Sequence, residues 1–289
     1  MPTKIEKDAV TGTETTGHEW DGIKELNTPL PTWWVYVLYA SIIWSIGLFI
    51  AYPSFPGISG YFSGVVGYSA REELADKMRA AENIKAPFLD RIRATSLDEI
   101  RTTPDLLGYA VAGGRVAFAE NCAGCHQAGG AGAKGYPSLA DDEWLWGGKL
   151  SDIEKTIRTG IRGTHPDTRT SLMPRFGTDG ILDRRQIDDV AEFVLSLTTR
   201  PADPAAVERG RTIFVENCAS CHGERGTGQR ELGAPSLADK VWVFGGDKPS
   251  IVRSITEGRV GVMPAWIDRL DPAVIKMLTL YVHTLGGGE

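Results

Sequence analysis

Two five-residue stretches, CAGCH at 122–126 and CASCH at 218–222, contain every cysteine of the 289-residue chain. Cys-x-x-Cys-His is the attachment pattern of a c-type haem. Two thiols two residues apart reach the two vinyl groups on one porphyrin edge and form thioethers. The adjacent imidazole then swings beneath the ring to ligate iron. Cys122, Cys125, Cys218 and Cys221 are therefore expected to hold two covalently bound haem c groups, with His126 and His222 as iron ligands. Other chemistries explain the pattern less well. A thioredoxin-like pair does not call for histidine after the second cysteine, twice over. The paired cysteines of structural zinc sites usually lie closer in sequence, and a disulfide across two residues is strained.

Working outward from these motifs, the chain repeats itself. GRVAFAENC at 114–122 matches GRTIFVENC at 210–218, PSLAD at 137–141 matches PSLAD at 235–239, and WLWGG at 144–148 matches WVFGG at 242–246. Met173-Pro174 answers to Met263-Pro264, the first copy holding about eight extra residues around 163–170, and AEFVLSL at 191–197 answers to TLYVHTL at 279–285. A duplicated unit of roughly 90 residues explains all five matches. Each copy reads as helix, haem motif, irregular middle, Met-Pro and closing helix. The closing helices show apolar residues at helical spacing: Ile187, Val190, Phe193, Val194 and Leu197, then Val274, Met277, Leu278, Tyr281 and Leu285.

Histidine leaves one axial face of each iron free, and methionine there makes an electron carrier of raised potential. Of five methionines, Met1 is terminal, Met78 reads as a packing residue on a charged helix, and Met277 reads as core. Met173 and Met263 remain, each before a proline and some forty residues beyond its motif. In chain order, Met173 is expected to close the first iron and Met263 the second. His165, in the insertion, reads as a surface histidine, His283 as a packing or capping residue, and His18 lies on the far side of the membrane span from the haems. A carbonyl of the Pro137 and Pro235 segments is expected to accept the free imidazole N–H. Trp144, Trp146 and Trp242 suit either porphyrin contact or ordinary aromatic core.

Residues 33–52, WWVYVLYASIIWSIGLFIAY, carry no charge, and no charged side chain occurs between Glu25 and Arg71. Twenty apolar residues span a bilayer core as a helix, with aromatics at both ends. A cleaved leader would start earlier, be shorter and carry a basic head. Covalent haem attachment outside the cytoplasm places the C-terminal bulk in the periplasm and the N-terminus in the cytoplasm. Ser96 is expected to cap a short helix from Leu97, and Thr103-Pro104 to open another. The expected layout is an N-terminal segment (1–32), a transmembrane helix (33–52), a linker with helix (53–103) and haem domains at 104–199 and 200–289. Few segments look like strands, so the class is all-α. A net charge of −6 gives no basic patch for nucleic acid.

With these residues in place, the chain resembles the di-haem subunit III of cbb3-type cytochrome c oxidases. The likeness covers nearly the whole length and includes TTGHEWDG at 15–22, NTPLP at 27–31 before Trp33-Trp34, ELGAPSL at 231–237 and GVMPAW at 261–266. It implies a single-pass anchor in a bacterial inner membrane followed by two tandem class I cytochrome c domains. It also implies a non-catalytic relay taking electrons from a cytochrome bc complex or a small cytochrome c. These would go to the mono-haem cytochrome subunit or the O2-reducing catalytic subunit. The alternative is a membrane-anchored di-haem shuttle, or a dehydrogenase cytochrome subunit, outside any oxidase.

Overall fold

The computed structural model describes residues 4–198, 203–286 and 288. Two compact units make up the chain, Met1–Glu82 and Asn83–Glu289. The first opens with an antiparallel hairpin, β1 (Thr15–Trp20) and β2 (Ile23–Leu26), pairing Trp20 with Ile23 and Glu19 with Lys24. Asp21 and Gly22 both take positive φ (48° and 85°) at its tip, as an Asp-Gly two-residue turn requires. This small sheet is an addition to the expected all-α class, and Asp21-Gly22 is its local signal.

Helix α1 (Thr32–Ala51) begins one residue before the expected span. Its 20 residues cover about 30 Å, and none of its side chains is buried. A helix apolar on every side and uncovered by protein suits lipid. Ser41 and Ser45 donate their hydroxyls to the carbonyls of Leu38 and Ser41, both at 2.8 Å, so neither hydroxyl is left unpaired in hydrocarbon. After an irregular stretch, α2 (Ala70–Ala94) begins; Met78 on it is 55% exposed rather than packed.

In the second unit, the end of α2 is followed by α3 (Leu97–Thr102), capped as expected by the Ser96 hydroxyl accepting from Glu99 N. Next comes α4 (Pro104–Asn121), with proline at its first position. Thr103 precedes it, but its hydroxyl donates backward to Glu99 O instead of capping α4. The short α5 (Ala123–His126) carries the first motif and α6 (Leu150–Thr159) follows. Then come the first closing helix α7 (Arg184–Ser196), α8 (Pro204–Asn217), the motif-bearing α9 (Ala219–His222), α10 (Lys248–Glu257) and the last helix α11 (Pro272–His283).

The closing helices are exchanged between the repeats. Helix α7, from the first copy, packs on α8 and α10 of the second; α11, from the second, packs on α4 and α6 of the first. One core joins Ile187, Val190, Phe193 and Val194 of α7 to Phe214 of α8 and Ile251 and Ile255 of α10. Another joins Phe118 of α4 and Ile153 and Ile157 of α6 to Ile275, Leu278 and Val282 of α11. Both crossings run close at a glycine. A methyl on Gly114 would strike the backbone of Met277, and one on Gly210 the backbone of Asp189. Gly114→Ala and Gly210→Ala should each cost about 1–3 kcal/mol through overpacking, read as a lower thermal midpoint.

Charges lock the exchange. Arg209 of α8 donates Nε and Nη2 to the carboxylate of Asp189 on α7 at 2.8 and 2.6 Å, and Lys248 of α10 lies 2.9 Å from Glu192 of α7. At the other body, Lys276 Nζ of α11 donates to the carbonyls of Ile92, Arg93 and Thr95 at 3.2, 3.0 and 2.6 Å. That ammonium satisfies carbonyls left open where α2 ends. The Arg209 hydrogen bond holds the Asp189 carboxyl below the usual carboxylate range. A depressed folded pKa stabilises above the unfolded value of ~3.9, and this is lost as pH falls through the lower folded value. Asp189→Asn should therefore flatten the acid limb of a stability-versus-pH curve.

Candidate haem sites

Both motifs are built alike. Helix α4 ends at Cys122, whose N–H still donates to Phe118 O, and the chain turns at once into α5, where Cys125 and His126 N–H groups return to Cys122 O. Cys218, Cys221 and His222 repeat this arrangement at the end of α8. In each motif the first cysteine is the more enclosed: Cys122 is half-buried and Cys218 buried, whereas Cys125 is exposed and Cys221 half-buried. Burial, reinforced by the neighbouring motif cysteine, pushes the Cys122 and Cys218 thiols up to about 11.

The histidines are held from behind. His126 Nδ1 lies 3.0 Å from Pro137 O, and His222 Nδ1 lies 2.9 Å from Pro235 O. A carbonyl only accepts, so Nδ1 carries the proton and Nε2 keeps its lone pair for a metal. Burial lowers both imidazole pKa values below the usual range, opposed by the same hydrogen bonds. Neutral, oriented imidazoles result. The two histidine-side loops meet where Gly135 N donates to Val243 O at 2.7 Å.

Each methionine lies with the motif of the other repeat rather than with that of its own. Met263 sits in the cluster that holds Cys122 and Ala123, and Met173 in the cluster that holds Cys218 and Ala219. Backbone bonds fix each loop to the other repeat. Ile161 and Met263 exchange N–H···O bonds at 2.9 Å, Trp266 N donates to Ile157 O at 3.1 Å, and Thr178 N donates to Thr256 O at 3.0 Å. Gly160 lies against the carbonyl of Met263, and Gly258 against those of Met173 and Pro174. The physical reason is the helix exchange: each Met-Pro segment precedes a closing helix and travels with it.

Trp144 belongs to the first motif's cluster and Trp242 to the second's, whereas Trp146 is buried under the guanidinium of Arg169, 4.8 Å from the ring. Among the described residues, Arg169 Nε is a buried side-chain nitrogen with no hydrogen-bond partner. His165 accepts from Asp167 N within its own turn, and His18 is exposed on β1. Neither joins a motif cluster. The donor set fits haem c: two thiol pairs, two neutral imidazoles with a free Nε2, and one thioether loop in each motif's cluster.

Family models match three consecutive parts of the chain. They are the N-terminal domain of cytochrome oxidase-cbb3, FixP, over residues 12–59; cytochrome c over 110–198; and cytochrome C oxidase, cbb3-type, subunit III over 205–282. The cbb3-type cytochrome c oxidase subunit CcoP of Azospirillum brasilense is 54% identical over 98% of this chain and 99% of its own length. The chain belongs to the cbb3-type oxidase subunit III family. Subunit FixP of Bradyrhizobium diazoefficiens is 50% identical across the whole of both chains, and subunit CcoP of Cereibacter sphaeroides 46% over 95% of each. The family membership agrees with a mostly helical chain that has one N-terminal apolar helix and two cytochrome c domains.

Proposed function

We propose that this chain is the membrane-anchored, di-haem electron relay of a cbb3-type oxidase, assembled with that oxidase's catalytic and mono-haem subunits. The observation that carries this reading is the double motif in which each histidine is tied through Nδ1 to a proline carbonyl while a methionine loop lies in the same cluster. When bound, haem supplies a reversible one-electron couple at iron. Cys122 and Cys125 hold one group and Cys218 and Cys221 the other. His126 and His222 would ligate iron through Nε2, and Met263 and Met173 through sulfur. So ligated, each haem would let the chain pass electrons without binding O2 itself. It is a non-catalytic subunit fed by a cytochrome bc complex or a small cytochrome c.

Helix α1 anchors the chain in the bacterial inner membrane, with residues 1–31 cytoplasmic and the haem-binding unit periplasmic. Pyridine haemochrome analysis should return two thioether-linked haems per chain, and mild-detergent purification should recover it with the other oxidase subunits. One haem or none would end this reading, and co-migration with a dehydrogenase would end the oxidase assignment.

A further inference from the structure

Both methionine loops converge on one side chain. Arg162 lies three residues beyond α6 in a left-handed backbone conformation (φ 51°) that non-glycine residues rarely adopt. Its N–H donates to Arg169 O at 2.7 Å, and the preceding residue, Ile161, is bonded twice to Met263. That backbone turns the guanidinium between the loops. Nε donates to Gly261 O at 2.6 Å, and Nη1 donates to Ser171 O at 2.9 Å. Gly261 stands two residues before Met263, and Ser171 two residues before Met173.

Three features set this arginine apart. Its two bonds go to neutral carbonyls of different repeats, 99 and 9 residues away, which the fixed fork of a guanidinium spans from one centre. It is partly enclosed, and burial lowers its pKa from the usual arginine value. It also has no counterpart in the second copy, which runs directly from Gly258 through Arg259 and Val260 to Gly261. Arg259 bonds Phe244 O, Ser250 O and the Ser254 hydroxyl, all within its own repeat.

We propose that Arg162 is a positioning residue that sets both methionine loops at once, so that the sixth-ligand strengths of the two haems are coupled through one side chain. This rests on the reading that Met173 and Met263 supply those ligands. The test uses the full chain in detergent with both haems attached. Imidazole is titrated against the ferric protein, and loss of the sulfur-to-iron charge-transfer band is followed at each haem.

In Arg162→Ala, imidazole should displace methionine about tenfold more readily at both haems, roughly the weight of one charged hydrogen bond lost per loop. Arg162→Lys keeps the charge without the fork and should give a smaller rise. An unchanged titration in Arg162→Ala, or a change at one haem alone, overturns the proposal. Should Arg162→Ala fail to retain two haems, Arg162→Lys decides, and no rise at either haem refutes it. A wild-type protein lacking the charge-transfer band would instead refute methionine ligation itself, before any variant is made.

Discussion

In a chain whose first motif is disabled by Cys122→Ala and Cys125→Ala, Met173→Ala is expected to open the one remaining haem, whereas Met263→Ala leaves it six-coordinate. With Cys218→Ala and Cys221→Ala instead, the roles reverse. Pairing in chain order would give the opposite result in both backgrounds. The expectation follows from Met173 lying in the cluster of Cys218, and Met263 in that of Cys122. The effect should be large, because axial ligands span about 0.8 V in haem potential and methionine holds the upper part of that range. Optical spectra and redox titration of the four variants check it.

Core substitutions in a closing helix should likewise damage the haem of the other repeat. Leu278, 1% exposed on α11, packs in the cluster of Phe118 and Cys122, and Leu278→Ala should cost about 2–5 kcal/mol there. Phe193, 3% exposed on α7, tilts against Phe214 with ring centroids 4.9 Å apart. Phe193→Ala should cost about 3–5 kcal/mol in the body that holds Cys218. Denaturant unfolding followed at each haem reads the result. Leu278→Ala should release the first haem's methionine earlier, and Phe193→Ala the second's. A loss confined to the haem of the same repeat would contradict the exchange.

Local signals carried most of what the sequence made legible. The motifs, the apolar span, the caps and the repeat all act through neighbours a few residues apart. Ser96 caps α3 as its position before Leu97 implied, and the carbonyls of Pro137 and Pro235 accept from the histidines as the repeated PSLAD segments implied. The partner of each closing helix was not legible. Two copies of nearly one sequence present nearly one surface, so Phe193 and Tyr281 suit either body by hydrophobicity and periodicity. Gly114 and Gly210 marked close crossings, but a glycine states that a backbone comes near without stating whose. Arg162 was equally silent, since its role depends on two carbonyls brought together only by the exchange.

The exchange also orders the birth of the protein. Helix α11 ends at His283, six residues from the C-terminus, and it completes the body around the first motif. A chain made from its N-terminus thus presents Cys122 and Cys125 long before the wall that will enclose them. Those thiols wait on an unfinished half until α11 (Pro272–His283) arrives. The body around the second motif, built from α7, α8 and α10, is complete at Glu257, so the body that begins first closes last, and a chain ended before α11 forfeits the haem nearest its start.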